Sequence, residues 1–315
     1  MNNTLIIGKD KGFIISDIRA FEGSFLVLDF NGDIYNEISG ELKDYKIQEL
    51  DLESLTGLGF DPFIESTDLS ETAETIIARF NQKNSSLNAE LLFEEKFNYY
   101  TKCALVSLFC LYQEKGTKIC CVQDMLQALK NIETYDNTFN SVPVDSTAHK
   151  YYEEVLQSKH LQSVVIAYAY VILREFYCTF KKVINAENKI DFKSLRKQRS
   201  AIFIRLPKYK RDRDSLSELF CECLFKELFI NTEGEPVRLY LNRGDRFLYI
   251  QKIYKYMLPC ARSHKISFCI ITEDSNRYLA GGPLNEYLPV LFCFDEIKLN
   301  GRVKTEKELF QYLQG

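Results

Sequence analysis

Short apolar runs alternate with a helical pattern at the beginning of the chain. Thr4–Ile7 is apolar, and Ser24–Asp29 is a continuous apolar run of the kind that a parallel strand buried on both faces shows. Between them, Phe13–Phe21 is amphipathic at helical spacing, and Ile47–Leu52 is a candidate third strand. Strand, helix and strand in this order predict a right-handed parallel unit.

The apolar residues change to a helical period at Asp68. Asp68 and Glu71 have the spacing of a capping box, and apolar side chains follow at helical intervals. The pattern then predicts helices at Leu91–Gln113, Val122–Ile132 and Tyr151–Tyr177, and a loop at Asn137–Ser146. Residues 68–185 therefore form a predicted all-helical domain.

Strand patterns return after Asn188. They predict strands at Ala201–Pro207, Pro236–Leu241, Ile266–Ile271 and Pro289–Phe294, and helices at Asp214–Phe229, Phe247–His264 and Thr305–Leu313. Helices and strands that alternate on both sides of a helical insertion predict an α/β fold. The expected sheet domain comprises residues 1–66 and 188–315.

The end of the first predicted strand has the position of a phosphate-binding loop without its residues. Such a loop needs consecutive backbone amides, a lysine for the outer phosphates and a hydroxyl for magnesium. Here Gly8 is followed by Lys9, Asp10, Lys11 and Gly12, so the loop is too short and Asp10 adds a repelling charge. The sequence predicts a nucleotidase scaffold without the usual chemistry.

Several segments resemble the TraG-type coupling proteins of type IV secretion and bacterial conjugation. They are Gly23–Asp29 with Asn31–Tyr35, Phe60–Phe63, Ile190–Leu195 with Ala201–Pro207, and Val237–Leu241 with Ala261–Ser267. The match is collinear over nearly the whole chain. The resemblance implies a RecA-like P-loop NTPase fold with a mostly parallel sheet, interrupted by the all-helical domain.

The departures from this family fall on its nucleotide chemistry. Asn242 and Arg243 align with an acidic pair that holds magnesium and orients water, and Thr272 aligns with a phosphate-sensing glutamine. The membrane helices that precede the sheet in the family are absent from this sequence. The expected vestigial nucleotide-site positions are Gly8, Lys9, Lys11, Gly12, Asn242, Arg243 and Thr272.

Two functions are compatible with these departures. We expect a non-catalytic pseudo-ATPase without a cofactor, which acts as a binding or adaptor component in DNA transfer or type IV secretion. The alternative is an active NTPase or DNA-translocation motor, in which Lys9 or Lys11 holds the phosphates of ATP and Asp29, Asp33 or Asp245 holds magnesium. The partners that the resemblance implies are DNA, relaxase or secretion substrates bound through the helical domain, and other coupling-protein or secretion-system subunits.

Two basic groups flank the strand predicted at Ala201–Pro207. The first contains Lys193, Arg196, Lys197 and Arg199, and the second contains Lys208, Tyr209, Lys210, Arg211 and Arg213. Cations beside an aromatic ring can bind a phosphate backbone and stack on a base. The second group is the candidate nucleic-acid contact, with a solvated loop as the alternative.

The composition bears on three further properties: attraction to nucleic acid or lipid, metal or redox sites, and location in the cell. The 315 residues are 46% hydrophobic and 27% charged, and the net charge of -4 gives no general attraction to nucleic acid or anionic lipid. Ten cysteines and three histidines lack the spacing of a metal or redox site, so we expect buried, inert thiols and no metal. Without an apolar stretch of membrane-spanning length or a leader, the expected location is the cytoplasm.

Overall fold

The computed structural model describes residues 2–7, 11–29, 32–84, 95–116, 121–206, 214–230, 232–242, 257–272, 294–299 and 302–303. The chain divides into two compact units. A sheet unit contains Met1–Leu58, Asn188–Asp214 and Leu224–Gly315, and a helical unit contains Gly59–Glu187 and Ser215–Cys223.

The elements follow one another in this order. The chain begins with β1 (Thr4–Ile7), α1 (Gly12–Ala20), β2 (Ser24–Asp29), α2 (Asp33–Ile38), β3 (Lys46–Asp51) and β4 (Thr56–Gly57). It continues through α3 (Pro62–Glu65), α4 (Leu69–Lys83), α5 (Glu95–Lys115), α6 (Val122–Ala128), α7 (Ile132–Phe139), α8 (Thr147–Gln157) and α9 (Gln162–Ile184). The last elements are α10 (Ser194–Lys197), β5 (Ser200–Arg205), α11 (Asp214–Ile230), β6 (Val237–Leu241), β7 (Ile266–Thr272), β8 (Glu296–Leu299) and β9 (Arg302–Val303).

One mostly parallel sheet organises the sheet unit. In the described part of the chain it has nine strands in the order β4-β3-β5-β2-β6-β7-β1-β8-β9. The seven inner strands of this order pair in parallel, whereas β4 and β9 pair antiparallel with their neighbours at the two edges. The predicted α/β fold with a mostly parallel sheet is confirmed.

The apolar pattern explains why α1 packs on this sheet. Ile14, Ile15 and Ile18 of α1 are buried in a core that also contains Phe25 of β2 and Tyr240 of β6. The Tyr240 hydroxyl donates a 2.7 Å hydrogen bond to Asp17 Oδ2 of α1, so a polar contact fixes the helix over β6. Burial, followed by the Asp17 carboxylate, raises the pKa of Tyr240.

Side-chain caps set the beginnings of the helices in the helical unit. Asp68 accepts a hydrogen bond from the Glu71 amide at 3.0 Å, which confirms the predicted start of α4. Asn131 accepts one from the Thr134 amide at 2.9 Å and starts α7, so the single helix predicted at Val122–Ile132 is wrong. The predicted loop also begins too early, because α7 continues to Phe139.

Two short segments differ from the predicted domain boundaries. Residues 59–66 and 215–223 group with the helical unit, although the sequence pattern assigns them to the sheet domain. Phe60 packs on Phe220 with ring centroids 5.2 Å apart, and Asp61 Oδ2 accepts a 2.8 Å hydrogen bond from the Tyr112 hydroxyl. Aromatic packing and a buried carboxylate therefore attach these segments to the helices.

The helix α9 corrects the expectation about membrane spans. Together with the turn before it, Lys159–Ile184 is long and apolar enough to cross a membrane by length and composition alone. Ten side chains of α9 are buried within the protein. Core helices of soluble proteins, which are mostly buried, meet the same test of length and composition. The test alone therefore does not make α9 a membrane span.

The last third of the chain differs most from its predicted elements. Residues 247–256, 289–293 and 305–313, on which three predictions fall, lie outside the described residues. Phe294 is not part of a strand, and the sequence pattern missed the short polar strand β8. Leu258–Cys260 and Arg262–His264 are separate 3-10 turns rather than the end of one helix.

Candidate functional site

Polar side chains line the carboxyl ends of the parallel strands. Asp51 ends β3, Arg205 ends β5 and Asp29 ends β2, and these three positions are aligned in the strand register. Asn242 follows β6 directly, and the buried Thr272 ends β7. Ligands of open α/β sheets bind outside the carboxyl ends of the strands, so this edge is the candidate site.

A buried pair, Asp29 and Asn242, lies at the centre of this edge. The Asn242 side-chain amide donates a 3.0 Å hydrogen bond to Asp29 Oδ1, and the two residues are 8% and 3% exposed. The Ile34 amide in the first turn of α2 donates a 2.9 Å hydrogen bond to Asp29 Oδ2. Both oxygens of the carboxylate therefore take part in hydrogen bonds that hold the fold.

The neighbouring ion pair is also structural. Arg205 Nη1 lies 3.4 Å from Asp51 Oδ2, while Asp51 Oδ1 accepts hydrogen bonds from the Glu53 and Ser54 amides. Gly32 lies against the arginine with φ of 71°, and an added Cβ would be 3.2 Å from Arg205 Cδ. Glycine tolerates this left-handed backbone at no steric cost, and that freedom lets the turn before α2 pass close to Arg205.

Lys11 and Gly12 are the described residues at the beginning of α1, and the lysine lies between two carboxylates. Lys11 directly precedes the helix, and Gly12 is its first residue. The half-exposed Lys11 ammonium lies 3.8 Å from Asp33 Oδ2 and 3.7 Å from Glu37 Oε2, so it faces two carboxylates of α2. The first turn of α1 is Gly-Phe-Ile and contains no hydroxyl side chain.

At position 242 the described chain offers no carboxylate for a magnesium ion. Asn242 presents an amide that is already bonded to Asp29, where a magnesium site would need a carboxylate. In the described part of the chain, no group of three or more His, Cys, Asp or Glu side chains could hold a metal ion. Several predicted positions lie outside the described residues: Gly8, Lys9, Arg243, Lys208, Tyr209, Lys210, Arg211 and Arg213.

The structure corrects the interpretation of the first basic group. The Arg196 guanidinium is buried and donates to four backbone carbonyls, those of Glu235, Lys265, Leu228 and His264, over 2.6–3.3 Å. Burial lowers its pKa. Arg196 is thus a structural residue rather than a surface cation, which a run of charges in the sequence does not reveal.

The two basic groups belong to opposite ends of β5. Lys193, Lys197 and Arg199 are exposed before its amino end, and Arg199 stacks on the Tyr45 ring 4.5 Å away. The second group follows the carboxyl end of the strand in sequence. The second group, residues 208–213, lies outside the described residues.

The cysteines fall into two classes. Five of the described thiols are buried: Cys103, Cys110, Cys221, Cys223 and Cys269. Burial raises the pKa of Cys103 and Cys110 to about 11 and that of Cys269 to about 12. Cys121, Cys178 and Cys260 are exposed, so the expectation of uniformly buried thiols is wrong for these three.

Comparison with known proteins identifies the fold. No protein-family model matches the chain, and neither does any curated protein. Solved structures do match. VirB4 of Thermoanaerobacter pseudethanolicus aligns with 99% of this chain and 80% of its own at 13% identity, with a TM-score of 0.58.

The conjugative coupling protein TrwB matches in more than one crystal form. A sulphate complex of TrwBdeltaN70 aligns with 94% of this chain and 69% of its own at 12% identity, with a TM-score of 0.57. TrwB in complex with ADP and Mg2+ gives 10% identity and a TM-score of 0.55. The chain has the RecA-like P-loop fold of these proteins. The expected coupling-protein-like fold is therefore confirmed at the level of fold.

Within this fold, the sequence pointed to Asn242 and, as an alternative magnesium ligand, to Asp29, but it missed the contact between them. Asp29 lies 213 positions away in the chain, and their contact depends on β2 and β6 being neighbours in the sheet. The signal that points to Asp29 is its place at the carboxyl end of a fully apolar strand.

Proposed function

We propose that this protein is a non-catalytic relative of the coupling-protein and VirB4 ATPases. It would act as a binding or adaptor component in a conjugation or type IV secretion system. The likeness in fold to TrwB and VirB4 supports a role in such a system. The side chains at the carboxyl edge of the sheet support the absence of catalysis.

The contact between Asn242 and Asp29 carries this proposal. Phosphoryl transfer depends on positioned charge, in particular a carboxylate and a magnesium ion at the reacting phosphate. At this position the chain has an amide whose hydrogen bond stabilises the buried Asp29. Lys11, a candidate phosphate ligand, lies within 3.8 Å of the Asp33 and Glu37 carboxylates. The Asn242 amide is thus engaged with Asp29, and Lys11 faces acidic side chains that would repel a phosphate.

Nucleotide binding and turnover test the proposal directly. A ligand present at 100 times its Kd stabilises a folded protein by about 2.7 kcal/mol. We expect millimolar Mg-ATP to leave the melting temperature of the full chain unchanged and to release no phosphate above the buffer rate, while a P-loop ATPase measured in parallel responds in both assays.

A clear rise in melting temperature together with phosphate release would refute the proposal. If Lys9→Ala and Lys11→Ala abolished that release, the alternative of an NTPase with an atypical phosphate-binding loop would be established. Release that is unaffected by both substitutions would indicate a contaminating ATPase, and purification to constant specific activity would then settle the assignment.

A further inference from the structure

The exposed face of α9 combines an apolar stripe with a basic end. Val164 and Val171 are 48% and 47% exposed, and Ala167 is exposed between them. The spacing of three and four residues places the three side chains on one side of the helix. Val165, Ile166, Ala169, Ile172 and Leu173 cover the opposite, buried side.

Three cations follow this stripe toward the end of α9. Arg174, Lys181 and Lys182 are exposed, and none of them forms an ion pair with another described residue. The acidic side chain among them, Glu175, is already paired with Lys83. The face thus carries uncompensated positive charge beside small apolar side chains.

We propose that this face of α9 docks an acidic, amphipathic helix of a partner protein. The inference rests on the proposed adaptor function and names the chemistry of its partner. Spacing of three and four residues is that of a helix-packing seam, and small side chains such as Val and Ala let another helix approach closely. Acidic residues on the partner would neutralise Arg174, Lys181 and Lys182.

Charge and side-chain size distinguish this occupant from two others. A second copy of the chain would bring its own basic face, since Glu175, the acidic side chain beside Arg174, Lys181 and Lys182, is already paired with Lys83. A membrane surface would attract the cations, but interfacial helices insert large Trp, Phe or Leu side chains, whereas this stripe offers Val and Ala.

The test uses the full chain and two labelled synthetic peptides. Both peptides contain three heptads with Leu at the a and d positions; one carries Glu at the e and g positions and the other carries Lys. Fluorescence anisotropy should show the Glu peptide binding at least tenfold more tightly than the Lys peptide. Equal binding of both peptides, or no binding of the Glu peptide, would overturn the proposal.

Matched substitutions locate the binding. Val164→Ser with Val171→Ser should weaken binding of the Glu peptide at least tenfold, whereas Val144→Ser, at a loop valine that is 68% exposed, should change it less than twofold. Binding that is insensitive to the α9 pair contradicts the assignment.

The cations have a matched control as well. Charge reversal of Arg174, Lys181 and Lys182 to Glu should also cost tenfold or more. The same reversal at three exposed lysines elsewhere in the helical unit, Lys115, Lys130 and Lys150, should cost less than threefold. Equal losses in both triple variants would mean a net-charge effect and would overturn the proposal.

Two further measurements exclude the other occupants. Sedimentation with vesicles of 70% phosphatidylcholine and 30% phosphatidylserine that depends on Val164 and Val171 would assign the face to a membrane. Self-association in light scattering that Val164→Ser with Val171→Ser abolishes would assign the face to a second copy of the chain.

Peptide binding is measured without nucleotide. ATP turnover would therefore refute the proposed function while leaving this binding surface intact.

Discussion

Replacing Asn242 with aspartate tests whether the sheet edge is built for stability. The substitution removes a hydrogen bond to a charged acceptor, which contributes about 1.5–3 kcal/mol. It also places a second carboxylate beside buried Asp29. Two charges about 4 Å apart repel by about 4 kcal/mol at an effective dielectric constant of 20. We therefore expect Asn242→Asp to lower the free energy of unfolding by about 5.5–7 kcal/mol at pH 7.

Asn242→Ala separates the two contributions. It removes the hydrogen bond without adding charge, so it should cost about 1.5–3 kcal/mol. The Asp29 carboxylate raises the pKa of the carboxyl introduced in Asn242→Asp, so that between pH 4 and this raised pKa the folded state binds more protons than the unfolded state. The extra loss in Asn242→Asp should be absent near pH 4 and grow as the pH rises toward 7.

Urea unfolding followed by circular dichroism at 222 nm measures both variants between pH 4 and 8. If Asn242→Asp and Asn242→Ala lose the same stability over this whole range, residue 242 is not in contact with a buried carboxylate. The physical basis of the proposed function would then be wrong, even without any nucleotide measurement.

Three further predictions concern other parts of the molecule. Arg196→Ala should lower the free energy of unfolding by about 3 kcal/mol or more, because four backbone carbonyls lose their charged donor; a loss below 1 kcal/mol in urea unfolding would contradict this. Gly234→Ala should cost clearly more than Gly116→Ala in the same assay. Both glycines have positive φ, but a Cβ at Gly234 would be 2.2 Å from the Arg196 carbonyl oxygen and one at Gly116 meets nothing within 4 Å. A thiol reagent at pH 8 should label three described cysteines of the native protein within minutes and five only after unfolding, as tryptic mass mapping can check; the fast ones are Cys121, Cys178 and Cys260.

The sheet could be predicted from the sequence wherever burial is uniform. β2, β5, β6 and β7 are rich in apolar residues and buried along almost their whole length because both faces of these strands are covered, and their ends were located within one or two residues. β8, by contrast, has the sequence Glu-Ile-Lys-Leu, which is too short and polar for an apolar pattern to identify.

The site was only partly predictable, because its contacts are remote in sequence. The missing phosphate-binding residues and the amide at position 242 follow from local motifs. The roles of Asp29 and Arg196 do not, since each depends on partners brought together by the sheet order and by turns far along the chain. The charge run around Arg196 suggested a phosphate-binding patch, and the structure instead buries the Arg196 guanidinium.

The double engagement of Asp29 limits how a magnesium-nucleotide site could be engineered at this sheet edge. Grafting a phosphate-binding loop onto positions 8–12 and an acidic residue onto position 242 would place a second carboxylate beside Asp29. Asp29 would still accept the hydrogen bond from the Ile34 amide at the start of α2. An engineer would need to supply a new cap at the start of α2 in the same round of mutations. The substitution at position 242 alone would lower the free energy of unfolding, so the order of the mutations would matter in such a redesign.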